Sequence, residues 1–170
     1  GNIMLSGDDI EWNNITLSAS ADIGDVTIGN IMLDAGTNLS VSTGIEINAT
    51  GDIGSVDIGE IDIDFVNNES FSIDVFASDD LGDVSIGDIS LGASATASAP
   101  SSVFGFVSIE VSGNQDVGNV AVGDITILGS GGGSNFGSAS VIMDFDAGTG
   151  DDLGNVTLGD IDLTSVALDF

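Results

Sequence analysis

One twelve-residue phrase, D-Φ-G-x-V-x-Φ-G-x-Φ-x-Φ with Φ aliphatic, occurs five times in this chain, and it decides what the chain can fold into. The copies run Asp22–Leu33, Asp52–Ile63, Asp80–Leu91, Asp116–Ile127 and Asp152–Leu163, while Gly1–Leu5 repeats Gly29–Leu33 letter for letter. The second glycine of the phrase falls at Gly1, Gly29, Gly59, Gly87, Gly123 and Gly159, at spacings of 28, 30, 28, 36 and 36 residues. Self-similarity at such a period marks a stack of like units, each too small to bury its apolar face alone.

Within a copy the apolar residues step by 3, 2, 3, 2, as in Ile23, Val26, Ile28, Ile31 and Leu33. Neither a helix nor an uninterrupted strand gives that series. It predicts short extended pieces separated by corners, with Gly24 and Gly29 at the corners because a residue without Cβ tolerates φ > 0. Between copies lie longer alternating stretches: Leu39, Val41, Ile45, Ile47; Phe71, Ile73, Val75, Ala77; Val107, Ile109, Val111; Val141, Met143, Phe145. Period-2 alternation of this kind reads as strands with one buried face. The expected fold is all-β: a β-solenoid-like stack of five to six Gly/Asp-cornered repeats of 28–36 residues, forming one domain over residues 1–170. An antiparallel β-sandwich is the alternative. Two compositionally loose segments, Ala93–Ser102 (which holds Pro100) and the Gly/Ser-rich Gly129–Gly137, read as surface loops that lengthen the last two spacings.

Composition narrows the chemistry. The chain has no Lys, Arg or His against 28 acidic residues, for a formal charge of -28. Phosphate contacts need basic side chains, so nucleic acid and anionic membrane are excluded as partners. Cations, neutral glycans and further copies of the chain remain. Without His, Lys or Cys there is no imidazole base, amine or thiolate nucleophile, and the expectation is that this is not an enzyme. The 42% hydrophobic content is too high for a disordered chain. No apolar run approaches the ~18 residues of a membrane-spanning helix, and a terminal Phe170 after alternating hydrophobics is not accompanied by the aromatic girdles of an outer-membrane barrel. A start at Gly1 suits a mature chain whose signal has been removed, and the expected location is extracellular or at the cell surface.

The repeat also aligns acidic residues. Three sets recur at corners: Asp22, Asp52, Asp80, Asp116, Asp152; Asp25, Ser55, Asp83, Asn119, Asn155; and Asn2, Asn30, Glu60, Asp88, Asp124, Asp160. Carboxylates ~5 Å apart repel by roughly 1 kcal/mol even at the dielectric of water. Ca²⁺ with its adaptable oxygen coordination is the natural bridge, and the doublets make Asp79, Asp80, Asp83, Asp88, Asp151 and Asp152 the candidate ligands. The other reading is that corner aspartates accept backbone N–H bonds in local Asx-turns; 23 of the 28 acids are Asp, which fits it. Asn-x-Ser/Thr sequons stand at Asn14, Asn38, Asn48, Asn68 and Asn155. Trp12 reads as a core or edge residue. Outward Thr27, Ser85, Thr126 and Thr157 alternate with Asp57, Asp62 and Ala121, so no flat threonine array forms.

The edges of such a stack matter for function. The half repeat carries Ile3 and Leu5, and residues 164–170 form an alternating strand with Val166, Leu168 and Phe170 on one side. Edges of this kind invite another copy, so these five residues are the expected polymer interface. The phrase LGDVSIGDISL at residues 81–91 and its four relatives resemble the acidic major-subunit (FilA-like fimbrial) proteins of Gram-negative pili. The resemblance covers the five motif copies and implies a secreted surface-fibre subunit without catalytic residues. The expected function is therefore a structural subunit assembling head to tail into an extracellular filament, pilus-like fibre or surface layer. A Ca²⁺-dependent adhesin or biofilm-matrix module is the alternative.

Overall fold

The computed structural model describes residues 1, 3–7, 14–35, 41–65, 69–93, 103–129 and 136–165. All regular secondary structure among them is β. The chain opens with β1 (Ile3–Gly7), β2 (Ile15–Ala19) and β3 (Val26–Ile28), and each later coil repeats this series. The second coil has β4 (Ile31–Ala35), β5 (Val41–Ala49) and β6 (Val56–Ile58), and the third has β7 (Ile61–Phe65), β8 (Glu69–Ala77) and β9 (Val84–Ile86). The fourth has β10 (Ile89–Ala93), β11 (Val103–Gly113) and β12 (Val120–Val122), and the fifth has β13 (Ile125–Gly129), β14 (Phe136–Asp146) and β15 (Val156–Leu158). A final strand, β16 (Ile161–Ser165), begins another coil.

Three sheets result. The first has six strands in the order β1-β4-β7-β10-β13-β16; the second runs β2-β5-β8-β11-β14 and the third β3-β6-β9-β12-β15. Every neighbouring pair is parallel. This is a β-solenoid, and parallel pairing throughout rules out the antiparallel sandwich. The twelve-residue phrase supplies a lone bridge residue, a three-residue strand of the third sheet and the start of a five-residue strand of the first. The long alternating stretch supplies the second sheet. The loose segments lie between strands of the first and second sheets; within them Phe136 and Gly137 belong to β14, and residues 94–102 and 130–135 are outside the described set.

Sequence period becomes spatial register. Ile31, Ile61, Ile89, Ile125 and Ile161 pair in order, as do Val26, Val56, Val84, Val120 and Val156. Ile23, Ile53, Leu81, Val117 and Leu153 form the corner bridges. In the second sheet Ile15, Ile45, Ile73, Ile109 and Met143 are in register. These columns fill the interior, where Phe71, Ile73 and Ile109 are fully buried. Stacked β-branched residues suit a pleated, closely packed wall, and each fully buried aliphatic side chain contributes roughly 1.5–3 kcal/mol.

The corner glycines are needed for a reason other than the one expected. Gly150 is the only described glycine with positive φ, at 97°; Gly24 and Gly29 are not in the left-handed region. The constraint is the coil beneath. A Cβ on Gly82 would stand 2.8 Å from the Gly54 carbonyl oxygen, and one on Gly154 2.7 Å from the Gly118 carbonyl carbon. Successive corners approach so closely that only hydrogen fits between them.

Candidate functional site

The corners that carry the acidic residues are built by a bond between coils. Asp22 Oδ1 accepts the Asp52 N–H at 3.1 Å, Asp52 that of Asp80 at 3.1 Å, Asp80 that of Asp116 at 3.3 Å, and Asp116 that of Asp152 at 2.9 Å. At the next corner Asp25 accepts from Ser55 N–H and hydroxyl, both at 3.0 Å, and Asp83 accepts from Asn119 N–H at 2.7 Å and its Nδ2 at 3.0 Å. Asn119 in turn accepts from Asn155. The third corner runs Asn30 to Glu60, Asp88 to Asp124 and Asp124 to Asp160. Corner carboxylates do accept backbone N–H, but from the residue 28–36 positions further along the chain. The Asx-turn expectation is corrected on that point: the bond is between coils, so Asp, Asn or Ser at a corner holds the next coil rather than its own turn.

Four of the six expected metal ligands accept hydrogen bonds through Oδ1. Asp79 Oδ1 accepts from Gln115 Nε2 at 2.9 Å, and Asp80, Asp83 and Asp88 each accept the backbone N–H above them. Asp151 donates its N–H to the Gly148 carbonyl and Asp152 donates to Asp116. Asp79, Asp80 and Asp83 lie between β8 and β9, Asp88 just after β9, and Asp151 and Asp152 between β14 and β15; among the described residues no group of three or more acidic side chains is arranged to hold a metal ion. A hydrogen-bonded carboxylate favours its charged form: the Ser55 backbone N–H, then the Ser55 hydroxyl, hold Asp25 below the ordinary carboxylate value, against a small opposing effect of burial.

A second acidic column was missed by a reading confined to the corners. On the outward face of the second sheet Glu46, Asp74, Glu110 and Asp144 stand in register on four successive strands. On the first sheet Asp34 pairs with Asp64, and Asp62 flanks Asp64 on the same strand. Partial burial, then Glu110 and Glu46, push Asp74 above the ordinary range. Partial burial, then Asp62 and Asp34, do the same to Asp64. Aligning the long strands with the same period as the corners would have found the column.

The edges of the stack differ from its middle. Leu153, Val156, Leu158, Ile161 and Leu163 are 37–46% exposed, whereas their register partners one coil back, Val117, Val120, Val122, Ile125 and Ile127, are 0–4% exposed. At the opposite edge Ile3, Ile15, Ile23 and Ile28 are only partly buried and Met4 and Leu17 are exposed. Of the expected polymer interface, Ile3 sits at this edge and Leu5 pairs with Leu33 through the backbone. Val166, Leu168 and Phe170 lie outside the described residues, as do Trp12, Asn38 and Asn68. Of the other sequons, Asn14 is exposed, Asn48 partly so, and Asn155 is engaged at its corner with Asn119.

No protein family, curated protein or solved structure matches the chain.

Proposed function

We propose that this chain is a secreted structural subunit that stacks end to end with further copies of itself into an extracellular fibre, and that it has no catalytic role. The reading is carried by one observation: among the described residues the outermost strands of each sheet pair on one side only, and the apolar columns that are buried in the middle coils are exposed at Leu153, Val156, Leu158, Ile161 and Leu163. Open β edges are a template for further pairing. The polarity of the bonds between coils supports a head-to-tail contact. The N–H groups of Ile23 and Val26 donate upward to the carbonyls of Asp52 and Ser55, and the same holds at each coil above. The upper edge therefore offers the N–H groups of Leu153, Val156 and Ile161 and the side-chain oxygens of Asp152, Asn155 and Asp160. The lower edge offers carbonyls and the N–H groups of Asp22 and Asp25. Head-to-tail contact matches donors with acceptors; head-to-head contact sets the acidic upper corners against their own copies. A heterologous contact that does not close into a ring propagates as a filament. The resemblance to acidic fimbrial subunits is in keeping with this reading.

Negative-stain imaging and sedimentation of purified protein over a concentration series test it. Leu158→Glu with Ile161→Glu places charge on the open upper edge, where both side chains are already exposed; the variant is expected to remain a β-rich monomer and to form no fibres. Ile142→Glu, on the outward face of the second sheet, is expected to leave elongation intact. Wild-type protein that stays monomeric throughout refutes the proposal, and loss of fibres with Ile142→Glu alone moves the contact to the side of the stack.

A further inference from the structure

We propose that the fold carries two carboxylate systems that answer acid in opposite directions, so that the stability of the solenoid passes through a maximum on the acid side of neutrality. The first system is the column on the outward face of the second sheet. Asp74 on β8 is faced by Glu46 on β5 and Glu110 on β11, with Asp144 on β14 beyond Glu110 and Thr16 on β2 beneath Glu46. On its own strand its outward neighbours are Ser72 and Phe76. The three-carboxylate group on the first sheet is similar: Asp64 and Asp62 on β7 meet Asp34 and Met32 on β4, and Gly92 and Ser90 on β10. Parallel in-register pairing sets carboxylates one strand apart, ~4.8 Å. The chain holds no Lys, Arg or His to neutralise them, and no hydrogen bond to Asp74 or Asp64 is present among the described residues.

The second system is the corners, where Oδ1 of Asp25, Asp83, Asp88 and Asp124, among others, accepts a backbone N–H from the coil above, at 3.0 Å for Asp25, 2.7 Å for Asp83 and 2.8 Å for Asp124. Its charge is an asset to the fold; the charge of the face column is a liability. The signs follow by linkage. Asp74 and Asp64 titrate above 3.8 when folded. Protonating them therefore favours the folded state, and the gain accumulates as pH falls through the raised values and is complete below 3.8. Asp25 titrates below 3.8 when folded, so its contribution is present above that value and is lost as pH falls further. Stability rises from neutral pH into the mildly acid range and falls below it.

The test is the thermal midpoint of the full chain, followed by circular dichroism from pH 8 to pH 2.5 at fixed ionic strength and a concentration too low for association. Wild type is expected to show the rise and the fall. Asp74→Asn with Glu110→Gln removes two face charges isosterically; its midpoint is expected to be raised at pH 7 and its upper limb flattened. Asp57→Asn with Asp151→Asn removes the same net charge outside both systems and is expected to retain the upper limb. Asp25→Asn keeps the acceptor oxygen for Ser55 without the titration and is expected to soften the acid limb alone. A wild-type midpoint that falls monotonically from pH 7 overturns the proposal. So does an upper limb lost equally in the face pair and the control pair, which would assign it to net charge alone.

Discussion

Gly82 and Gly24 occupy the same position of the repeated phrase in different surroundings, so the pair isolates what the coil beneath contributes. Ala at Gly82 puts a Cβ 2.8 Å from the Gly54 oxygen and 2.9 Å from its carbonyl carbon, where ordinary contact begins at 3.4 Å. The two coils must part locally by about half an ångström, which stretches the Gly82 N–H bond to the Ile53 carbonyl from 2.9 Å toward the limit of hydrogen bonding. Overpacking of this kind costs about 1–3 kcal/mol, while replacing Gly by Ala returns about 0.4–1 kcal/mol through the unfolded chain. The net loss is about 1–2 kcal/mol, or a fall of roughly 2–8 °C in thermal midpoint for a chain of this size. At Gly24 a Cβ meets nothing within 4 Å, so only the unfolded-state gain remains. Gly24→Ala is expected to match or slightly exceed wild type. Differential scanning calorimetry of both variants at a concentration too low for association decides the matter. Equal shifts in the two, or a neutral Gly82→Ala, would refute the claim that the corner glycines are there for close approach between coils.

Ile73→Ala empties the centre of a fully buried column between Ile45 and Ile109, and is expected to lower stability by about 2–5 kcal/mol in urea unfolding. Asp83→Ala deletes the acceptor for both Asn119 N–H and Nδ2; a loss of roughly 1–2 kcal/mol is expected, whereas Asp83→Asn, which keeps an acceptor oxygen, is expected to retain most of the wild-type stability. Asp64→Asn is expected to raise the thermal midpoint at pH 7 and to leave it unchanged at pH 3, where the wild-type carboxyl is already protonated; the sign follows from the raised value of Asp64.

Most of the fold was legible because period and register are the same fact in a parallel stack. Once Gly29, Gly59, Gly87, Gly123 and Gly159 were aligned, the inward residues of two sheets followed, and the alternation through Phe71, Ile73 and Val75 supplied the third. The glycines and aspartates were placed correctly at corners, but positive φ and the local Asx-turn were the wrong reasons for them. Glycine is enriched both where φ is positive and where another backbone comes near, and a single chain does not say which applies. Likewise Asp accepts an N–H equally well from its own turn or from a coil 30 residues away; the local partner is simply the one that sequence distance favours. The outward column through Glu46, Asp74, Glu110 and Asp144 escaped notice because outward positions of a strand carry no hydrophobic signal, and mixed Glu and Asp blur the repeat. The upper apolar edge, at Leu158 and Ile161, looks in sequence like any other copy of the phrase. Only the absence of a described coil above distinguishes it.

The fixed cycle through three sheets has a consequence for how the chain reaches its fold. The partners of each described strand lie 28–36 residues away along the chain, and no described strand waits for a segment more distant than that. A chain delivered from one end can wind each coil onto the one already laid down, the finished coil serving as the template for its successor. Energetically such a molecule is a row of nearest neighbours. Damage to one coil is felt by the two that touch it and fades beyond them, and a coil gained or lost changes the length of the rod while leaving its cross-section as it was.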